Sequence, residues 1–273
     1  MEEACGSGEV GEVQRLLRLP GADVNAAVGE RGGTALYEAS RGGQLHVVEV
    51  LLQVPGIDVN RADELQRTAL SEASFHGHLE VVQALLQVPG VDVNAANSIG
   101  RTALYSACHW GHLEVARALL RAPGIDLNLV DYVGWTCLHG ACIGGHLEVA
   151  QELLRTRDLD VNHADNRGYT PLLFACMNGH SEVATMLARA GAHVDLSDRH
   201  GWSLLQLLCQ GQGGAEGCIR STRAAGRLIL KVLLGRGLPL SLVRGEDLVM
   251  QCLGGLQRAV AELLRARATG PAM

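Results

Sequence analysis

Histidines and cysteines, eleven and eight in number, are the residues of this 273-residue chain best suited to chemistry. His139 and Cys142 stand three apart, which on a helix places an imidazole and a thiol on one face, as half a metal site or as a base beside a nucleophile. Catalysis, however, needs unlike groups converging on one point. Here the polar residues recur at a fixed interval instead: Gly-His pairs stand at 77/78, 111/112, 145/146 and 179/180. No P-loop, dinucleotide fingerprint or C-x-x-C pair is present. The expectation is no catalytic residue, no cofactor and no metal, with the histidines serving structure.

The elements that position these residues follow from the interval. Segments opening at Thr34, Thr68, Thr102, Thr136 and Thr170 read TALYEASRGGQLHVVEVLL, TALSEASFHGHLEVVQALL, TALYSACHWGHLEVARALL, TCLHGACIGGHLEVAQELL and TPLLFACMNGHSEVATMLA, at a period of 34 residues; a sixth copy opens at Ser203. Each has two apolar stripes at helical spacing, such as Leu104 and Ala107, then Leu113, Val115, Ala116, Leu119 and Leu120. They predict two short helices separated by a Gly, with Thr as N-cap and the His hydrogen-bonded locally at the break. The stretch PGIDVNRADELQR clusters Pro, Gly, Asp and Asn and reads as the turn to the next pair. Six positions after each Thr equivalent stand Cys5, Ser40, Ser74, Cys108, Cys142, Cys176, Cys209 and Cys252. One small, buried type of position thus accounts for six of the eight cysteines. Packed helices lie roughly 8–10 Å apart, beyond the approximately 4.4–6.8 Å Cα separation of a disulfide, so the thiols are expected to be reduced.

These units, nearly intact as GYTPLLFACMNGHSEV and PGADVN, resemble the ankyrin pattern T-P-L-H-x-A-A-x-x-G-H-x-E-V-V-x-L-L-L with G-A-D-V-N. The resemblance implies an all-α solenoid of stacked helix-turn-helix units with hairpin loops, about six full repeats between degenerate caps. It divides the chain into an N-terminal capping half-repeat at 1–29 and repeats at 30–63, 64–97, 98–131, 132–165 and 166–198. A divergent repeat at 199–241 with an insertion near 211–223, a C-terminal cap at 242–268 and a tail at 269–273 complete it. The usual ankyrin unit has about 33 residues. The extra residue, with its recurrent Pro-Gly, is therefore expected to lengthen the second helix or its exit loop.

The same resemblance implies a protein-binding scaffold or adaptor that grips through hairpin tips and the concave face of the first helices. The corresponding positions hold Leu65, Phe75, His76, Ile99, His109, Trp110, Tyr132, Trp135, Ile143, Tyr169, Met177 and Trp202. Only nine residues are aromatic, and six of them, Phe75, Trp110, Tyr132, Trp135, Tyr169 and Trp202, fall here. Binding surfaces are enriched in such side chains, so an aromatic strip is expected. Asn25, Asn60, Asn94, Asn128 and Asn162 resemble ankyrin asparagines hydroxylated by an asparaginyl hydroxylase, although the hairpin itself calls for Asn there.

Net charge is −6, far from the basic extreme of nucleic-acid binders, and no nucleic-acid partner is expected. Residues 211–273 carry nine basic and four acidic side chains, against 14 and 25 in the rest. Arg220, Arg223, Arg227 and Lys231, spaced 3, 4 and 4, would share a helix face. A solvated stripe or a dock for an acidic segment would both use them. SLLQLLCQ, CIRSTR and LPLSL faintly resemble the element order of a SOCS box, though at the wrong spacing, which raises an alternative ubiquitin-ligase adaptor with elongin and cullin partners. An enzyme with an unrecognised site is a third reading. The opening MEEACGSGEV lacks the apolar run of a secretory signal, and no stretch approaches the roughly 18 apolar residues of a membrane span. A cytoplasmic or nuclear location is the expectation.

Overall fold

Eight-residue helices are too short to persist alone in water, so each 34-residue unit depends on its neighbours. The computed structural model describes residues 2–29 and 31–193. The chain divides into two units, Met1–Asp160 and Val161–Met273. The first holds α1 Glu2–Ser7, α2 Val10–Leu17, α3 Ala35–Arg41, α4 Leu45–Leu52, α5 Ala69–His76, α6 Leu79–Leu86, α7 Ala103–Trp110, α8 Leu113–Leu120, α9 Cys137–Gly144 and α10 Leu147–Leu154; the second holds α11 Pro171–Met177 and α12 Ser181–Arg189. Among the described residues there is no strand. Expectations on Trp202, Arg220, Arg223, Arg227, Lys231, the SOCS-like segment and everything from residue 194 on lie outside the described residues.

Within the first unit the odd-numbered helices pack in one row and the even-numbered helices in a second. Thr34, Thr68, Thr102 and Thr136, and Thr170 in the second unit, sit in extended conformation and accept from the backbone N–H three residues on. This satisfies a donor that the first helical turn would otherwise leave orphaned. The core is built of leucine ladders: Leu36, Leu70, Leu104 and Leu138 from the first helices and Leu51, Leu85, Leu119 and Leu153 from the second are all fully buried. Each such side chain contributes about 1.5–3 kcal/mol over its exposed state. The small-residue ladder is equally enclosed, with Cys5, Ser40, Ser74, Cys108, Cys142 and Cys176 at 0 % exposure. Cys5, Cys108, Cys137, Cys142 and Cys176 are in no disulfide. Burial pushes the Cys5 thiol up to about 11 and Cys176 to about 12, and raises Cys108 well above its ordinary value. These three thiols therefore stay protonated and unreactive. The hydroxyls of Ser40 and Ser74, in contrast, are buried without a partner.

Within the first unit, polar ladders tie successive repeats together. His78, His112 and His146 donate from Nε2 to the carbonyls of Arg41, Phe75 and His109, at 3.1, 3.0 and 3.0 Å. This corrects the local hydrogen bond expected of the Gly-His break, because each histidine reaches back 37 residues to the preceding first helix. A carbonyl only accepts, so the proton resides on Nε2. In the first such unit Gln44 replaces the histidine and donates its amide to Gly6 O at 3.2 Å. The extra residue in the linkers is also resolved. Helices α4, α6, α8 and α10 each have eight residues, whereas α12, whose linker lacks it, has nine. The insertion thus lengthens the exit loop, where Gly56, Gly90 and Gly124 take positive φ, and leaves the helix unextended.

Candidate partner-binding surface

The hairpins are held by an Asp or Asn side chain that sequence reasoning did not single out. Oδ1 of Asp63, Asn97, Asp131 and Asp165 accepts two backbone N–H groups each, from Leu65 and Arg67, Ile99 and Arg101, Val133 and Trp135, and Arg167 and Tyr169. In the first unit neighbouring tips are joined by Ser98 N–H to Leu65 O at 2.8 Å and Tyr132 N–H to Ile99 O at 3.0 Å. Leu65, Ile99 and Val133 occupy the same register and are nearly half exposed, with Tyr132 beside them at 73 %. These form an apolar row along the tips.

A second row lies at the C-terminal ends of α5 and α7. Phe75 and Trp110 meet edge to face with centroids 5.1 Å apart, while His76 contacts Phe75 at 4.9 Å and His109 contacts Trp110 at 5.2 Å. Trp110 is 51 % exposed and Phe75 39 %. Tyr105 stacks on His109 at 5.8 Å, and burial pushes its phenol up to about 12. The His76 and His109 imidazoles are held below their ordinary value, first by burial and then by neighbouring basic groups, among them His78 and Arg101 respectively. Both are consequently neutral at pH 7. The inner-helix histidines thus extend an uncharged aromatic patch.

Arginines fix the rings behind it. Arg67 is held by Asp63 at 2.6 Å and Glu72 at 3.0 Å and lies 5.5 Å over the Tyr37 ring. Asn97 carries no charge in the next hairpin, and Arg101 turns instead to Asp131 of the following one at 3.2 Å, stacking over Tyr105 and Trp135 at 4.8 and 5.8 Å. A cleft of about 560 Å³ opens beside the patch, lined by Arg31, Tyr37, Glu38, Arg41, Arg67, Glu72, Phe75 and His76.

A repeating helix pair, a Thr cap, a Gly-His break and a stacked hairpin match the description "Ankyrin repeats (3 copies)", whose family model covers residues 1–97, 57–131 and 124–198. The chain belongs to the ankyrin-repeat family. No curated protein matches it. Ankyrin repeats are protein-interaction modules, and the expected contact positions of this one can be placed individually. Leu65, Phe75, His76, Ile99, Trp110 and Tyr132 are exposed, whereas His109, Trp135, Ile143, Tyr169 and Met177 are half-buried. Trp135 in particular is packed under Arg101, so the aromatic residues do not all lie open in one strip. In the second unit Tyr169 contacts Phe174 edge to face at 6.0 Å.

The asparagines have structural work. Asn25, Asn60, Asn94 and Asn128 donate from Nδ2 to the carbonyls of Gly56, Gly90, Gly124 and Asp158 at 2.7–2.8 Å. They also accept from the N–H groups of Asp58, Asp92, Asp126 and Asp160 at 2.8–3.0 Å. In the second unit Asn162 accepts from His193 N–H at 2.7 Å. His139 and Cys142 are wholly buried, out of reach of a substrate. The His139 Nδ1 accepts the Thr136 N–H at 3.1 Å, closing a capping box. Among the described residues no group of three His, Cys, Asp or Glu could hold a metal ion, and no helix is long and apolar enough to cross a membrane.

The cleft went unread in sequence because its carboxylates stand at the fourth position after Thr, occupied by Glu38 and Glu72 but by Ser106, Gly140 and Phe174 in later units. Charge inside an otherwise apolar helix segment was the available signal.

Proposed function

We propose that the chain is a scaffold or adaptor that grips a protein partner on the first unit, with Phe75 and Trp110 as anchors and the Leu65, Ile99 and Tyr132 tips as flanking contacts. The observation that carries this is the contiguity of the two exposed rings. Aromatic pairs add about 0.5–1.5 kcal/mol beyond burial, and a few aromatic or arginine anchors dominate interface energies. Arg67 and Arg101, fixed by carboxylates, hold the neighbouring surface in one shape, which reduces the ordering cost of association. Histidine ladders attach to the backbone of the same patch, since His112 bonds the Phe75 carbonyl and His146 that of His109.

The test is quantitative affinity capture from cells with the full chain and a Phe75→Ala/Trp110→Ala variant. Both side chains project from helix ends, so the variant should retain its circular dichroism and melt within a few degrees of the parent. Proteins captured by the parent should fall at least about tenfold, the scale of one hot-spot loss. Unchanged capture would overturn the assignment. Elongin and cullin among the lost proteins would assign the ubiquitin-ligase role.

A further inference from the structure

The polar cleft in the first unit is not explained by packing. Its floor holds two buried carboxylates, Glu38 and Glu72, with side chains 7 % and 6 % exposed. Glu38 Oε2 takes Arg41 at 2.8 Å, and Glu72 Oε1 takes Arg67 at 3.0 Å. All three Arg67 nitrogens are bonded to Asp63 or Glu72, which uses three of its five N–H groups. Glu72 Oε2 has the His76 ring at 3.7 Å, longer than a hydrogen bond. The independent observation is Tyr37. It lines the cleft, is 2 % exposed, and its hydroxyl has no hydrogen-bond partner, although the Asp63 and Glu72 carboxylates lie near enough to act on it. An orphaned buried hydroxyl costs roughly 1–3 kcal/mol, and a ligand group that satisfied it would recover that cost on binding.

Hydrogen-bond capacity decides the sign of the ligand. The floor offers a ligand chiefly acceptors, the Glu38 and Glu72 carboxylate oxygens and the Tyr37 phenolic oxygen. Each Arg67 nitrogen is already bonded to a carboxylate, and the other two arginines of the lining stand at the rim, Arg31 exposed and Arg41 with its side chain 52 % exposed and turned to Glu38. Phe75 forms a wall, suited to the face of a guanidinium. Burial holds the Glu72 carboxyl above its usual range in spite of Arg67, so its charge is under-compensated where it stands. The charge of the first unit agrees, since residues 1–160 carry 11 arginines and no lysine against 21 acidic side chains. A field of this sign steers basic partners.

We infer that this cleft receives an arginine or lysine side chain from a basic segment of the partner protein, whose neighbouring apolar side chain then lies on Phe75 and Trp110. The inference rests on the interaction reading above and specifies the chemistry of the partner. The cation donates to Glu38, Glu72 and the Tyr37 oxygen, and the segment runs from the cleft along the C-terminal ends of α5 and α7.

The experiment titrates the isotope-labelled full chain, by amide NMR, with three blocked tetrapeptides identical except for one residue: Ala-X-Ala-Leu with X as arginine, citrulline or glutamate. Citrulline keeps the shape of arginine without its charge. The arginine peptide is expected to give saturable shifts at Tyr37, Phe75 and His76, with citrulline at least about tenfold weaker and glutamate without effect. Glu38→Gln/Glu72→Gln should abolish the arginine response. Should that variant fail to fold, Tyr37→Phe, which removes only the unpartnered hydroxyl, should fold and weaken arginine binding severalfold. A glutamate response equal to or stronger than that of arginine, saturation elsewhere on the chain, or no saturation with any peptide would each overturn the inference. If the Phe75→Ala/Trp110→Ala variant still loses its captured proteins in that case, the interaction reading stands and only the cationic site falls.

Discussion

At the scale of single residues, the hairpin shows how one position can be read against its equivalents. Gly32, Gly100, Gly134 and Gly168 take positive φ two residues before the Thr equivalent, and Gln66, at φ 58°, is the non-glycine residue in that register. A side chain in the left-handed region costs about 1–2 kcal/mol, partly offset by the greater entropy that glycine loses on folding. Gln66 is exposed, so removing its side chain forfeits little. Gln66→Gly is therefore expected to stabilise the protein by about 0.5–1 kcal/mol, read as a higher urea midpoint at unchanged slope. The reverse change exposes the other constraint at this position. A Cβ at Gly100 would stand 2.9 Å from the Asp131 Cα, a backbone atom that cannot swing away, so Gly100→Ala should lower the midpoint by more than Gln66→Gly raises it. Equal midpoints for all three proteins would mean that the tips relax freely.

At the scale of elements, the helix pairs were legible because their signals repeat in kind. A Thr that caps, a Leu two positions on and a small residue six positions on recur without change of chemistry, and each needs only its own helix to be understood. The histidines were half legible. Their place at the break follows from the Gly-His pairing, but their partner lies 37 residues back, and no local pattern marks a bond of that reach. The half-burial of Trp135 was illegible for the same reason, since it lies under Arg101, which turns to the next hairpin because Asn97 of its own carries no charge. The cleft was illegible because its residues differ from repeat to repeat and meet only after stacking. Gln44 offers a natural control for the histidine bond, as its amide reaches the equivalent carbonyl of Gly6. His112→Gln should consequently cost well under about 1 kcal/mol, whereas His112→Ala leaves the Phe75 carbonyl without its donor and should cost about 1–3 kcal/mol. Chemical denaturation separates the two. Equal losses would show that ring packing against Gly77, and not the hydrogen bond, is what the position supplies.

At the scale of the whole first unit, identical junctions make its stability a sum of repeats and interfaces, while binding depends on particular faces. Excision of residues 98–131 distinguishes the two. It joins Asn97 to Tyr132, so Asn97 again stands two residues before Val133 and four before Trp135, the spacing at which it now accepts from Ile99 and Arg101. Asn94 then faces Asp158 and Asp160 as Asn128 does, and His146 faces the Phe75 carbonyl in place of His112. The shortened chain should unfold in one transition of the first unit, with a smaller urea slope because less surface is exposed, and with a lower midpoint. Excision of residues 98–130, one fewer, leaves Asp131 as an extra residue in the new hairpin and should lower the midpoint further. Both deletions remove Trp110 and Arg101 and should lose the partner, although the first retains its fold. Retention of the partner by the 34-residue deletion would place recognition on the hairpin tips or the polar cleft alone, since those are the surfaces that survive the cut next to Phe75.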